Sequence, residues 1–284
     1  MKRVLLAGLL CAVMGVTGLV AAASGSVTNI DMPGARHITP FSINDYGEVV
    51  GYYEMEGMVH GFMFKNGTFT TLDIPPLPNP AGFVYTIITG INNHGDVVGQ
   101  YVREQEGEER SFIYSRGTFT SLEFPGSRYT IAEGINDLGD VVGVSSQGSF
   151  LYSNGKFSLL PSPDVGYYVS AVAVGINNKG QIVGYYSDLD SYQSFIYQDG
   201  EFTMILNSEN IPRGINDHGD VTLSGVFSTN SVFLYSKGQL SALHTPGYPL
   251  FVGGINNTGE VVGVYGSSDG RHAYVGHLKR GNND

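Results

Sequence analysis

Two side chains of opposite charge stand at a position that is otherwise uncharged. A Gly-Ile-Asn unit recurs along the chain, and two residues before its isoleucine the copies read Phe41, Thr89, Glu133, Val174, Arg213 and Gly253. A carboxylate and a guanidinium brought to one place can accept from and donate to the same polar ligand. His37, Tyr85, Tyr129 and Tyr168 fall near the starts of the same segments. Tyrosine rings beside carboxylates suit stacking on, and hydrogen bonding to, sugars or a peptide. Glu133, Arg213, His37, Tyr129, Tyr85 and Tyr168 are therefore the candidate ligand-binding set. The competing reading is that Glu133 and Arg213 pair structurally with each other or with water. A carboxylate pair for glycoside hydrolysis also stays open, because its spacing is spatial. Glu104, Glu106, Glu108, Glu109, Asp164, Asp188, Asp190 and Asp269 all lie in variable loops.

Other chemistries find no support. There is no His-Glu-x-x-His and no phosphate-binding glycine loop. The recurring Asn-Asn/Asp-x-Gly-Asp turn invites a calcium reading, but a calcium loop needs alternating Asp/Asn positions and a later bidentate Glu. Here the position after Gly is neutral at Gln181, and the preceding slot holds Lys179, so a hairpin turn is the better reading. His94 and His218 share that exposed turn slot, while His60 and His272 open a later segment. No metal or cofactor is expected.

The elements that position these residues come from the repeat. Its isoleucines are Ile43, Ile91, Ile135, Ile176, Ile215 and Ile255, spaced 48, 44, 41, 39 and 40 residues apart. A period near forty residues signals a repeat architecture. In the second copy Tyr85 to Ile91 is a β-branched run, Asn92-Asn93-His94-Gly95 a turn, and Asp96 to Tyr101 a second run. Ser111 to Tyr114, the Ser115-Arg116-Gly117 turn and Thr118 to Phe124 complete the unit. Tight turns make neighbouring strands antiparallel hairpins. Apolar pairs such as Val97-Val98 mean that both sheet faces are covered. Four antiparallel strands per repeat, with no helical period, give an all-β, six-bladed β-propeller of four-stranded blades. A β-solenoid would need parallel coils of more uniform length. The fifth copy reads Val221-Thr222-Leu223-Ser224-Gly225 where others read Val-Val-Gly, which suggests a bulge in that blade.

The chain ends argue for closure. The sixth repeat stops after three strands, and residues 25–33 align without a gap on 67–75. The N-terminal strand is thus expected to complete the last blade, since an open array would leave unpaired sheet edges. The first-to-second and third-to-fourth turns are near constant, so one rim is uniform. The second-to-third loops and the connections between blades diverge on the opposite rim, where function is expected.

Residues 1–23 read as a secretory signal peptide, with Lys2 and Arg3 ahead of an apolar run closed by Ala21-Ala22-Ala23. Residues 24–284 then form a single domain with no integral membrane segment. Cys11, the one cysteine, falls in the signal, so no disulfide is expected. Cleavage would leave 13 basic against 26 acidic residues, a formal charge of −13, which repels nucleic acid and anionic membrane.

The unit Gly-Ile-Asn-x-x-Gly-x-Val-Val-Gly, with His272-Ala273-Tyr274 and His60-Gly61-Phe62 at the third strand, resembles the HAF family of bacterial extracellular repeat proteins. The resemblance spans essentially all of the chain after residue 23. It implies export and a bacterial source, and it carries no catalytic residue to any position. The reading is a periplasmic or extracellular monomeric binding module whose partner is a glycan or a protein. A polysaccharide-degrading enzyme using rim carboxylates and a structural envelope protein are the alternatives.

Overall fold

The computed structural model describes residues 26–75, 84–103, 109–165, 170–187, 192–205, 210–225 and 231–278. The expected signal segment, Tyr168 and the loop acids Glu104, Glu106, Glu108, Asp188 and Asp190 lie outside them. The described residues form six four-stranded antiparallel sheets and no helix. Five of the sheets are each one repeat folded as a meander, the sixth takes its outer strand from the N-terminal segment, and together they make the expected β-propeller. In the second blade the strands are Val84–Ile91, Val97–Arg103, Glu109–Ser115 and Thr118–Leu122. The third-to-fourth turns pair a left-handed residue with a left-handed glycine, as at Asn66-Gly67 (φ 51° and 78°) and Arg116-Gly117 (φ 50° and 83°). That geometry matches the twist of the strands it joins.

Each Val-Val pair is split between two blade interfaces. Val97 packs in its own blade's core with Ile88, Tyr101 and Phe112, where Val50 of the first blade also inserts. Val98 packs onward against Ala132, Val141 and Phe150 of the third blade. Both faces are therefore apolar because both are covered. The third strands supply the largest fully buried rings, Phe62, Phe112 and Phe150, and each meets a fourth-strand phenylalanine edge-on at 5.1–5.3 Å. Burying one such side chain contributes about 2–3 kcal/mol.

The fifth blade departs from the pattern, though not by a bulge in its second strand. Val221–Gly225 stays in register with its third strand. Thr222, in the second valine slot, is fully buried and donates its hydroxyl to Gly253 O at 2.6 Å. Leu223 takes the slot where glycine stands elsewhere, and Phe233 beside it is correspondingly less deeply inserted than Phe112. The irregularity lies instead in the first strand of every blade.

Closure occurs as expected from the chain ends. Val27–Asn29 pairs with Gly270–His277, in the order β-strand 1 against the sixth blade's third strand, with Val27 opposite Gly276. Ile30 is buried in a core that joins Val262 and Ala273 of the sixth blade to Ile43 and Val49 of the first. A polar pair reinforces the strand: His272 Nδ1 lies 3.0 Å from Asp31 and its Nε2 lies 3.3 Å from Asp269. The first blade repeats the device, with His60 Nδ1 2.7 Å from Asp73. These two histidines have a structural task that the shared sequence slot did not reveal.

A hydrogen-bonded belt closes the uniform end of the ring. The asparagine after each repeat isoleucine caps its own turn: Asn44 Oδ1 accepts from the N–H groups of Tyr46 and Glu48. Its amide donates to the backbone carbonyl of the next blade's asparagine, and the series Asn44, Asn92, Asn136, Asn177, Asn216, Asn256 returns to Asn44 at 2.9–3.2 Å. The following residue alternates around the ring: Asp45, Asn93, Asp137, Asn178, Asp217, Asn257. Each backbone N–H there donates to Oδ1 of the next member at 2.7–2.8 Å. Each asparagine amide donates to both flanking carboxylates at 2.8–3.0 Å. Carboxylates only accept and amides must donate, so alternation is the pattern that leaves no side chain short of a partner.

Asn93→Asp, which sets three carboxylates side by side, is expected to destabilise the fold by about 1–3 kcal/mol, read as a lower urea midpoint. A midpoint equal to the parent's would show that the belt is ornamental. The clasp gives a pH signature. The hydrogen bond to Asp31 raises the His272 pKa above its ordinary value. Its contribution is complete below the unfolded-state histidine pKa and is lost as pH rises through the raised value. Between pH 6 and 8.5 the melting temperature of the parent should therefore fall more than that of His272→Gln; parallel curves would remove the charged clasp.

Candidate functional site

In five of the six blades the first strand carries one unpaired residue. In the third blade Ala132 opposes Gly143 and Gly134 opposes Val142, so Glu133 has no cross-strand partner. The same shift leaves Phe41, Thr89, Val174 and Arg213 unpaired, and the sixth blade is irregular between Val252 and Ile255, around Gly253. A β-bulge re-aims the side chain it carries. Here it turns one residue per blade out of the regular alternation and towards the next blade. Thr89 shows the direction, donating its hydroxyl to Ala132 O in the third blade at 2.8 Å. The glycine after the bulge is required by crowding: a Cβ on Gly134 would lie 3.0 Å from Gly175 Cα, and one on Gly214 would lie 2.8 Å from Gly254 Cα.

The most variable slot of the inner strand is thus the one that the bulge frees from cross-strand pairing. Glu133 and Arg213 face one another electrostatically across the fourth blade. They do not form an ion pair, and neither makes a side-chain hydrogen bond among the described residues. Burial pushes the Glu133 carboxyl up to about 7, with Arg213 acting in the opposite sense and the charge of Glu109 adding to the rise. Burial also lowers the Arg213 pKa, opposed by Glu133. Tyr185 feels both charges, and burial is the main cause of its raised pKa. The Arg213 guanidinium lies over the Phe251 ring, 5.1 Å from its centre, while Nε is buried without a partner. Phe251 meets Phe41 edge-on at 5.6 Å, and Phe41 lies 5.7 Å from Tyr52. An aromatic arc therefore continues from the arginine around the first and sixth blades.

The structure unites part of the predicted set. Glu133 and Arg213 lie close enough for each to feel the other's charge, and Glu109 links Tyr85 to them, because its charge reaches both Tyr85 and Glu133. His37 sits at the start of the first blade's inner strand with Nδ1 buried and unpartnered, and Tyr129 is partly exposed at the start of the third. No hydrogen bond or ion pair joins either to the central pair among the described residues. Tyr168 lies outside them.

Tyr185, Phe251 and Gln100, whose buried Oε1 has no partner, were missed. Their signal was a second register. Tyr185 pairs across the sheet with Val172 and Gln100 with Ile87, each four residues before the repeat isoleucine, and directly opposed residues share a face. That slot, Tyr52, Gln100, Val144, Tyr185, Ser224 and Val264, holds Tyr185 and Gln100, and the slot facing it holds Phe251 opposite Val264.

No protein-family profile matches this chain, and no curated protein sequence does. Solved structures do share its fold. A chain of the nidogen/laminin complex is similar over 80% of this chain and 88% of its own, with a TM-score of 0.53 and 12% identity. A puromycin-hydrolyzing peptidase of Mycobacterium tuberculosis matches 94% of this chain but only 55% of its own length, with a TM-score of 0.53 and 11% identity. The extracellular domain of a hybrid two component system from B. thetaiotaomicron matches 88% of this chain and 39% of its own, with a TM-score of 0.50 and 11% identity. At these identities the likeness is one of fold alone, and the fold serves varied roles.

A carboxyl raised to about 7 destabilises the folded chain as pH climbs from the ordinary glutamate value through 7, because the unfolded state ionises first. Glu133→Gln should match the parent near pH 4 and be more stable by about 2–3 kcal/mol above pH 7.5. Equal stability at both pH values would mean that Glu133 ionises freely in water.

Proposed function

We propose that this chain is an exported bacterial propeller that binds a ligand, a glycan or a segment of protein, entering from the variable rim and held at Glu133 and Arg213. The observation that supports this most is the unpaired pair. Two opposite charges lie half-buried near one another without contact, beside edge-on aromatic rings, with Arg213 Nε and Gln100 Oε1 buried and unsatisfied. Buried polar groups in a fold are normally hydrogen-bonded, and those left open in a cleft mark functional sites. Aromatic faces beside a carboxylate and a guanidinium are the usual equipment for a sugar ring or a peptide group. Export is supported by the apolar N-terminal segment and by the resemblance to extracellular repeat proteins. No described helix is long and apolar enough to cross a membrane. The propeller is read as a monomer.

One observation favours a second reading. Glu109 and Glu133 are neighbouring carboxylates, and one has a pKa near neutrality, as an acid–base pair acting on a glycosidic bond requires. The two readings part in one set of assays. A glycan array and a pull-down from envelope extract should give saturable binding that Glu133→Ala and Arg213→Ala each weaken at least tenfold while the circular dichroism spectrum is kept. Turnover of an array-positive polysaccharide, abolished by Glu133→Gln alone, would establish the enzyme instead. Empty results in array, pull-down and turnover assays would overturn both.

A further inference from the structure

The central pair also restricts what chemical group can reach it. The Arg213 guanidinium carbon lies 5.1 Å from the centre of the Phe251 ring and its Nε is buried, so the terminal nitrogens, which make no hydrogen bond among the described residues, are the part left for a ligand. Those nitrogens are the fork that receives a carboxylate. Glu133 projects from the bulge two blades away, flanked by Tyr185, and offers oxygens to a cation or donor. An anion alone would satisfy Arg213 while crowding Glu133 and Glu109, and a cation alone would do the reverse. The chain's formal charge of −11 also works against an anionic ligand, whereas a species with no net charge is not repelled.

The far end of the channel is narrow. The six inner strands converge at the Gly134, Gly175, Gly214 and Gly254 level, and the belt beyond lines a shallow recess of about 70 Å³. Neighbouring backbones crowd one another at that end, and the rings of Phe251 and Phe41 lie beside Arg213.

We propose that the channel takes a small amino-carboxylate zwitterion, free or at the end of a larger ligand, with its carboxylate on the Arg213 guanidinium, its ammonium on Glu133 and its apolar part against Phe41 and Phe251. The inference rests on the reading of this channel as a binding site. Its probes are the free L-amino acids, each titrated calorimetrically into the intact chain, and the N-acetyl and methyl ester derivatives of any that bind. At least one free amino acid should bind, and removing either charge of the ligand should weaken binding at least tenfold. Arg213→Met and Glu133→Gln should have matching effects, each blind to the ligand charge it no longer meets. The ligand derivatives keep the test independent of whether a variant folds. Derivatives that bind as well as the parent amino acid would overturn the zwitterion. So would a silent amino-acid panel; if glycan binding sensitive to Glu133→Gln were then found, the channel would remain a binding site with its ligand class corrected. Silence in every panel would overturn both.

Discussion

The ring stands on the demand that each carboxylate and each amide at its centre find a partner of the right kind. Six identical asparagines could build the inner tier, because each has a backbone carbonyl to donate to. The outer tier meets side chain with side chain, and six identical residues would fail. Six aspartates would oppose acceptor to acceptor, and six asparagines would oppose donor to donor. Alternation of Asp45, Asn93, Asp137, Asn178, Asp217 and Asn257 resolves this, and it closes on itself only in a ring with an even number of members. The belt thus couples a local choice of side chain to the number of blades. It also uses each of those carboxylates in a structural bond, which accounts for a repeated acidic motif that is not a metal loop.

The same inner strands do the opposite at the bulge. Regular pairing would bury every side chain in a blade interface or leave it facing the axis in strict alternation. One extra residue per strand frees a slot from that constraint, and the sequence varies there more than anywhere else in the strand: aromatic, hydroxyl, acid, aliphatic, base and glycine. The glycine next to it absorbs the close approach of neighbouring backbones, so the slot can hold a large side chain without opening the ring. A scaffold built from identical units thereby acquires an asymmetric centre. Glu133 and Arg213 are costly residents of it, since desolvation works against the charge of each and direct contact does not relieve it.

Much of the fold was legible because it rests on local, repeated signals. Asn and Gly at the turns, paired valines for a sheet covered on both faces, and a missing last strand with its match at residues 25–33 each have a short-range physical cause. The fifth blade was misread for the same reason: Thr222 and Leu223 look like a broken strand until the carbonyl of Gly253 and the shallower Phe233 are seen beside them. His60 and His272 were read as slot residues because their partners Asp73 and Asp31 lie on a different strand. The N-terminal alignment already placed those two aspartates in equivalent positions.

The site shows the same division more sharply. The sequence by itself determined that Glu133 and Arg213 occupy one structural slot, that the slot belongs to the first strand, and that six copies make a closed ring. Those conclusions depend only on spacing, and spacing is a property of the chain. What only the tertiary structure decided is which way the slot points, that the two charges lie near one another without touching, and that Tyr185, Gln100 and Phe251 complete the site. Those depend on register between strands and on the stacking of blades some forty residues apart. Direction and contact are set by where the neighbouring blade's backbone lies, and no local pattern encodes that position.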